Sequence, residues 1–365
     1  MTDIPDSMTA ALLTGHGGLD KIEVRDDVAV PRPGPGEVLI RVSACGMNNT
    51  DINTRTAWYS KTVTEGTTGE AFDEVAEDEA TWGGAAIIFP RIQGADVCGR
   101  VVAVGGNVDA NCIGARVLID PWIKDQNEPE NLDKARYLGS EIDGGFAEYI
   151  KIPVRNVYPV ESDLADEKLA SFACSYQTAE NMLTRARLCE GETIVISGAS
   201  GGVGSALIQL AKRRGARVIA IAGKSKLEDV FAVGADAVID RNEQQLMSAV
   251  LDQAPGGQVD VAADVVGGET FAVMMNCLRR SGRYVTAGAI GGPIVEVDLR
   301  TLYLHDLELI GATICPPEIF KNLIGYIERG EIRPLVAKTF PLRQIREAQQ
   351  EFIKKQHVGN FVITI

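Results

Sequence analysis

The segment that most constrains this chain is Gly198-Ala-Ser-Gly-Gly-Val-Gly204, because of what flanks it. Before it runs Thr193-Ile-Val-Ile-Ser197, the unbroken apolar pattern of a strand buried on both faces of a parallel sheet. After it, Val203, Ala206, Leu207, Leu210 and Ala211 recur at helical spacing, with Lys212, Arg213 and Arg214 in the last turn and Gly215 as the stop. Small residues let the backbone turn sharply, and the helix start beyond them offers free N–H groups and a positive dipole end to an anion. In the strict G-x-G-x-x-G frame Ala199 stands where the first glycine would be, and Gly201 and Gly204 follow. On its own such a turn is merely tight. Between a strand and a helix it reads as the pyrophosphate turn of a dinucleotide site, formed by Ala199, Ser200, Gly201, Gly202, Val203 and Gly204.

Strand and helix patterns then alternate: strand Arg217–Ala222, a helix ending at Gly234, strand Ala237–Asp240 and a helix over Gln244–Leu251. Strand Val259–Val266, helix Glu269–Arg280 and strands Arg283–Ala289 and Leu307–Thr313 follow, before a helix over Glu318–Arg329. Six strands with intervening helices predict a doubly wound α/β domain, a Rossmann-type parallel sheet. An NAD site usually ends its second strand with an acid that binds the ribose 2′-hydroxyl. Here that strand runs into Gly223-Lys-Ser-Lys226, with no acid and two cations beside a hydroxyl. Gly223, Lys224 and Ser225, with Lys226 near them, suit a 2′-phosphate, so the expected coenzyme is NADP(H). The bland reading makes these lysines solvated residues at a helix start.

With 365 residues the chain exceeds one ordinary core. Up to about residue 155 it reads as short strands, Glu37–Val42, Gly99–Val104 and Ala115–Ile119, between Gly/Pro turns such as Pro33-Gly-Pro-Gly36. The expected division is a β-rich domain over 1–157, completed by 325–365, and a nucleotide-binding domain over 158–324. Between Lys61 and Pro90 lies a segment with seven acids from Glu65 to Glu79, which reads as a solvated loop rather than a lid. A formal charge of −14 argues against nucleic acid as a partner. No apolar run is long enough to span a bilayer, and Met1 to Pro5 lack the start of a secretory signal, so a cytoplasmic address is expected. Seven cysteines without a CxxC spacing read as thiols, and three histidines leave little for metal binding or His-based acid–base chemistry.

Gly46-Met-Asn-Asn-Thr-Asp51, Gly94-Ala-Asp-Val-Cys-Gly99, Asp143-Gly-Gly-Phe-Ala-Glu-Tyr149, the Gly198–Gly204 turn and Asp264-Val-Val-Gly-Gly268 together resemble the medium-chain dehydrogenase/reductase superfamily over essentially the whole chain. The resemblance implies a GroES-like catalytic domain, a Rossmann domain, an active site between them and a homodimer acting on a small-molecule substrate. In the zinc alcohol dehydrogenases of that superfamily the metal is held by a Cys, a His and a later Cys or Asp. Those positions are Asn48, Ala95 and Cys174 here, and the four-Cys structural zinc lobe is missing. Tetrahedral zinc needs three strong protein ligands, so no metal is expected. Asn48-Asn-Thr-Asp51 looks like the corresponding block of the zinc-free branch of quinone oxidoreductases and enone and enoyl-thioester reductases. Tyr59 stands where the enoyl-thioester reductases carry a tyrosine that serves the enolate, with Trp58 beside it; packing is the equal alternative for both.

Without a Lewis acid, a quinone or α,β-unsaturated carbonyl is the easier hydride acceptor, because hydrogen-bond donors suffice for the distant oxygen that gathers charge. Asn48, Thr50 and Tyr59 are the expected donors, with Thr178 near the nicotinamide. The expectation is an NADPH-dependent oxidoreductase for such acceptors. Two alternatives stand beside it: an alcohol dehydrogenase with an atypical zinc site built from Cys174, Asp96 and a displaced Cys45, and a non-catalytic NADPH-binding protein.

Overall fold

The computed structural model describes residues 4–70, 72 and 86–365. The N-terminal part opens with β1 (Ser7–Leu13), β2 (Ile22–Ala29), β3 (Glu37–Met47) and helix α1 (Asn49–Arg55). It continues through β4 (Arg91–Ile92), β5 (Asp96–Val104), β6 (Arg116–Ile119), β7 (Trp122–Ile123), β8 (Arg136–Tyr137), β9 (Tyr149–Pro153) and β10 (Val157–Pro159). Two helices follow, α2 (Asp166–Leu169) and α3 (Ala173–Arg185).

Strand and helix then alternate: β11 (Thr193–Ile196), α4 (Gly202–Arg213), β12 (Arg217–Ala222), α5 (Leu227–Val233), β13 (Ala237–Asp240) and α6 (Leu246–Gln253). Next come β14 (Val259–Asp264), α7 (Thr270–Asn276), β15 (Leu278–Thr286), α8 (Leu299–Leu304), β16 (Glu308–Gly311) and α9 (Pro317–Glu328). The chain ends with β17 (Val336–Pro341), α10 (Ile345–Phe352) and β18 (Asn360–Thr364).

Among the described residues, β11 to β16 form one parallel sheet in the order β13-β12-β11-β14-β15-β16. Its order reverses between β11 and β14, and a crevice opens there at the carboxyl ends of the strands, the usual ligand position of such a sheet. The tail returns to the N-terminal half: β17 and β18 extend a sheet ordered β10-β6-β5-β3-β18-β17, with β9 also on β3. A GroES-like β-rich domain therefore sits against a Rossmann domain.

Helix α3 shows why the sequence did not announce it. Ala173, Ser175, Tyr176, Gln177, Ala179, Glu180, Asn181, Met182 and Leu183 are all buried, so no polar face marks the helical period. It packs on α4 and α9 and joins the two domains. Its carboxylate Glu180 stays buried because Arg214 Nη2 donates to it at 2.7 Å.

The helix expected over Glu269–Arg280 is corrected to α7, which stops at Asn276. Leu278 enters the ladder opposite Val259, and Arg279 Nε reaches Asp260 on the neighbouring strand at 2.5 Å. Sheet pairing and that ion pair outweigh a helical pattern that propensity alone would extend. Helix α8, like α3, has no counterpart in the sequence reading.

Arg55 ties α1 into the domain. Its guanidinium is buried and donates to Gly17 O at 2.6 Å, Gln349 Oε1 at 2.9 Å and Gly69 O at 3.1 Å. Burial lowers it to about 10, and the three acceptors replace the water it has lost. For the acidic segment, residues 71 and 73–85 lie outside the described residues. Its described start is not merely solvated: Thr67 N donates to Ile290 O at 2.9 Å, and Thr67 Oγ1 donates to Asn53 Oδ1 at 3.0 Å. The backbone thus crosses from the catalytic domain to the Rossmann domain at the edge of the crevice.

Candidate active site

A cleft of about 1700 Å³ runs between the domains. Its nucleotide half is built by the glycine turn. Gly198 holds φ +57°, a left-handed conformation that glycine adopts freely. A Cβ on Gly204 would lie 2.2 Å from Gly198 O, and one on Gly202 would lie 2.4 Å from Ser175 Oγ, so both glycines are demanded by close packing of α4. At Gly201, which caps α4, the nearest atom to such a Cβ is Gly198 O at 3.5 Å, so this residue leaves space on the cleft side. A turn of this shape before a free helix N-terminus fits a dinucleotide pyrophosphate.

Ser200, Gly201, Gly202, Val203, Gly204, Gly223, Lys224, Ser225 and Thr178 all line the cleft. Ala199 does not: it is fully buried, and its N–H bonds Ile221 O at 3.2 Å, so it supports the turn from beneath.

Around the turn after β12 gather cations that the sequence reading left out or gave only a minor place. Lys226 Nζ donates to Ser200 Oγ at 3.4 Å and to the carbonyl of Lys355. Lys355 Nζ donates to Asn49 Oδ1 at 2.5 Å and sits 3.9 Å over the Phe352 ring. Arg241, at the end of β13, lines the same region. Burial first, and Lys226 second, lower Lys355 to about 7. His357 stacks on Phe361 at 4.3 Å, and burial with Lys355 and Lys226 lowers it to about 4. A cation that burial, and secondarily a like charge, has partly neutralised is stabilised by an incoming negative charge. The signal missed was spatial: Arg241 and Lys355 lie on strands and loops remote in sequence.

The other half of the cleft is aromatic. Trp58, Tyr59, Trp122 and Tyr137 line it together with Asn48, Thr50 and Cys174. Trp58 Nε1 donates to Glu65 O at 2.9 Å, and Trp122 packs on Tyr137 with ring centroids 4.7 Å apart. Tyr59 Oη donates to Thr50 Oγ1 at 3.3 Å. Burial pushes the Tyr59 phenol up to about 12, so it stays protonated and able to donate at neutral pH. The Tyr137 phenol hydrogen-bonds Cys174, and burial drives it well above its usual range too. Tyr137 and Trp122 were missed because a two-residue strand gives no periodic signal.

Asn48 caps α1: its N–H donates to Asp51 Oδ2 at 2.8 Å in a capping box. Its side-chain amide donates to Asp96 Oδ2 at 3.0 Å and accepts from Ser175 Oγ at 3.3 Å. Asn48 therefore reaches the cleft wall but spends its amide on positioning Asp96. Asp96 and Asp51 are both fully buried, and burial raises each to about 7.

The donor set does not fit catalytic zinc. Asn48 and Ala95 offer no strong ligand, and Ala95 is buried under Trp122 and Tyr137. Asp96 is engaged by Asn48 and by the Cys174 N–H at 2.5 Å. Burial and Asp96 push the Cys174 thiol well up, and its neighbour Tyr137 hydrogen-bonds it. Cys45 is buried with Sγ 3.7 Å from Gly46 O. Among the described residues no three His, Cys, Asp or Glu side chains come together as a metal site.

Fold and cleft together define a nicotinamide-nucleotide-dependent dehydrogenase. Residues 34–162 match the model of the alcohol dehydrogenase GroES-like domain, and residues 202–329 match that of the zinc-binding dehydrogenase. A solved structure described provisionally as an alcohol dehydrogenase from Sinorhizobium meliloti 1021 is 46% identical, covering 100% of this chain and 98% of that one, with a TM-score of 0.90. The NAD-dependent alcohol dehydrogenase of Sulfolobus acidocaldarius is 28% identical over 98% of this chain and 100% of its own length. The acryloyl-coenzyme A reductase of Metallosphaera sedula is also 28% identical, over 98% and 100%. The chain belongs to the medium-chain dehydrogenase/reductase superfamily, of the zinc-independent type, and is an oxidoreductase.

Proposed function

We propose that the protein is an NADPH-dependent reductase that delivers hydride to a quinone or an α,β-unsaturated carbonyl compound, without a catalytic zinc. The observation that carries the reading is the pair of protonated tyrosine hydroxyls, Tyr59 and Tyr137, on an aromatic wall where a zinc enzyme would place ligands. Bound dihydronicotinamide supplies the hydride. The protein's own part is to hold the acceptor flat between aromatic side chains and to donate hydrogen bonds to the oxygen that becomes negative. Tyr59 is the first donor, turning its O–H from Thr50 to the substrate oxygen while the Thr50 hydroxyl donates back to Tyr59 Oη, and Tyr137 is the second. Asn48 positions the wall through Asp96.

The choice of NADPH over NADH rests on Gly223 in place of an acid and on Lys224, Ser225, Lys226, Arg241 and Lys355 around it. The Sulfolobus relative is named for NAD, so coenzyme preference is the part of this reading most directly open to measurement. The assay is oxidation of NADPH, against NADH, on quinones, alkenals, enones and enoyl thioesters, with and without chelator. Turnover on one such class that prefers NADPH and ignores chelator supports the proposal. Activity confined to simple alcohols and abolished by chelator would replace it with a metal-dependent alcohol dehydrogenase. Tight NADPH binding without turnover would make the chain a binding protein.

We place the enzyme in the cytoplasm as a homodimer acting on a small molecule. All seven cysteines are free thiols, as in a reducing compartment, and no described helix is long and apolar enough to cross a membrane. Ile294, Leu299, Tyr303, Leu304 and Leu309 are exposed beside the edge strand β16, an apolar face suited to a second copy.

A further inference from the structure

A second cavity, of about 570 Å³, lies within the catalytic domain and is lined by none of the cleft residues named above. Met8, Ile123 and Ile142 give it an apolar floor, and around them stand four carboxylates and six cations. Each of the four carboxylates is already engaged by backbone. Glu37 accepts from Gly34 N at 2.8 Å, and Asp125 accepts from Asn127 N at 2.8 Å. Glu141 accepts from Tyr137 N at 2.9 Å, and Asp143 accepts from Ile92 N at 3.1 Å.

The cations are less committed. Arg91 pairs with Asp143 and Lys151 with Glu37, while Lys134 pairs with Glu128 outside the cavity. Lys124, Arg136 and Arg155 make no ion pair among the described residues; Arg155 donates only to the carbonyl of Lys124, at 2.8 Å. Arg91, with 12% of its side chain exposed, also keeps a buried Nε without a partner. Cations from separate segments converge here in a chain whose formal charge is −14, with Arg155 acting on Asp125 and Lys124 on Asp120 only at a distance beyond an ion pair.

The wall of this cavity is shared with the catalytic cleft. In the β7–β8 pair, Trp122 stands opposite Tyr137 and Ile123 opposite Arg136. Successive strand residues point to opposite faces. Trp122 and Tyr137 accordingly line the cleft, while Ile123 and Arg136 line the second cavity. On the cleft side the pair packs against Cys315 and Ile319 of the Rossmann domain.

We propose that this cavity binds a small organic polyanion, a di- or tricarboxylate or a phosphate ester, on Lys124, Arg136 and Arg155, and that its binding shifts the Trp122–Tyr137 wall of the cleft. The apolar floor takes the carbon skeleton and the three cations take the charge. Because one two-stranded ribbon forms both walls, drawing Arg136 toward an anion moves the residue beside it, Tyr137.

The test is calorimetric titration of the full chain with two probes, citrate for the carboxylates and glycerol 3-phosphate for the phosphate esters, whose relative affinities tell the two sources apart. Wild type is expected to bind one of them, with a change in tryptophan emission that Trp122→Phe abolishes and Trp58→Phe retains. The double variant Lys124→Ala/Arg136→Ala should weaken binding by roughly tenfold or more, the loss expected for two charge-assisted contacts. Lys226→Ala, in the coenzyme half of the cleft, should leave it unchanged and so excludes binding there. Failure of both probes to bind wild type, or equal binding by the double variant, overturns the site. Binding without a Trp122 signal overturns the link to the cleft.

Discussion

If Lys355 meets the 2′-phosphate of NADPH, coenzyme affinity must depend on pH in a way that NADH affinity does not. Burial and the charge of Lys226 lower Lys355 from 10.5 to about 7, with Glu351 and His357 nearby and Asn49 accepting its hydrogen bond. Above that pH much of the free enzyme carries a neutral amine. A phosphate whose second ionisation lies near pH 6 is fully charged there and favours the ammonium, so binding takes up a proton. Affinity is therefore highest between about pH 6 and about pH 7 and falls as pH rises through the range between the free and bound values of Lys355. A charge-assisted contact is worth about 1.5–3 kcal/mol, so the fall should total roughly tenfold to hundredfold and then level off as the amine binds neutral. Lys224, Lys226 and Arg241 line the same part of the cleft, and the affinity left at the plateau rests on them. The measurement is the dissociation constant of NADPH and of NADH from pH 6 to pH 9.5, by coenzyme fluorescence, for wild type and Lys355→Met. Parallel profiles for the two coenzymes, or an NADPH slope that persists in Lys355→Met, would refute the assignment.

Tyr59→Phe and Tyr137→Phe should each lower kcat by roughly tenfold to thousandfold while leaving the NADPH dissociation constant unchanged, as for loss of a hydrogen bond made in the transition state. Unchanged kcat in steady-state assays of both variants would make the two phenols packing groups. Gly204→Ala places a methyl 2.2 Å from Gly198 O, where only backbone can yield, and should cost about 1–3 kcal/mol in urea unfolding. Gly201→Ala, with its nearest neighbour at 3.5 Å, should cost stability less and coenzyme affinity more. Light scattering should give twice the chain mass of 39.1 kDa, and Leu304→Lys with Leu309→Lys should reduce it to one copy. A dimer that survives both charges lies on another face.

The nucleotide turn was legible because its requirements are local. Gly204 is fixed by a backbone oxygen six residues away, and the strand before it and helix after it are continuous in sequence. The edge of α7 was not, since Leu278 and Arg279 joined β15 to meet Val259 and Asp260, partners that local propensity does not see. Helix α3 hid for the opposite reason: burial on nearly every side erased the polar stripe by which a helix is recognised. Asn48 shows a third case. Its position in the block was readable, whereas the commitment of its amide to Asp96 and Ser175 depends on β5 and α3 arriving beside it.

The sequence by itself determined the parallel sheet, the pyrophosphate turn, the missing acid after the second strand and the missing zinc ligands, because each is written in residue type and short-range spacing. Only the tertiary structure brought Arg241 and Lys355 to the two sides of Lys226 in one cleft, set Tyr137 beside Cys174 in the cleft that Tyr59 also lines, and gave the β7–β8 ribbon one face in each cavity. Charges and hydroxyls act through a few ångströms of space in a medium that screens little, and the chain separates these groups by tens to hundreds of residues.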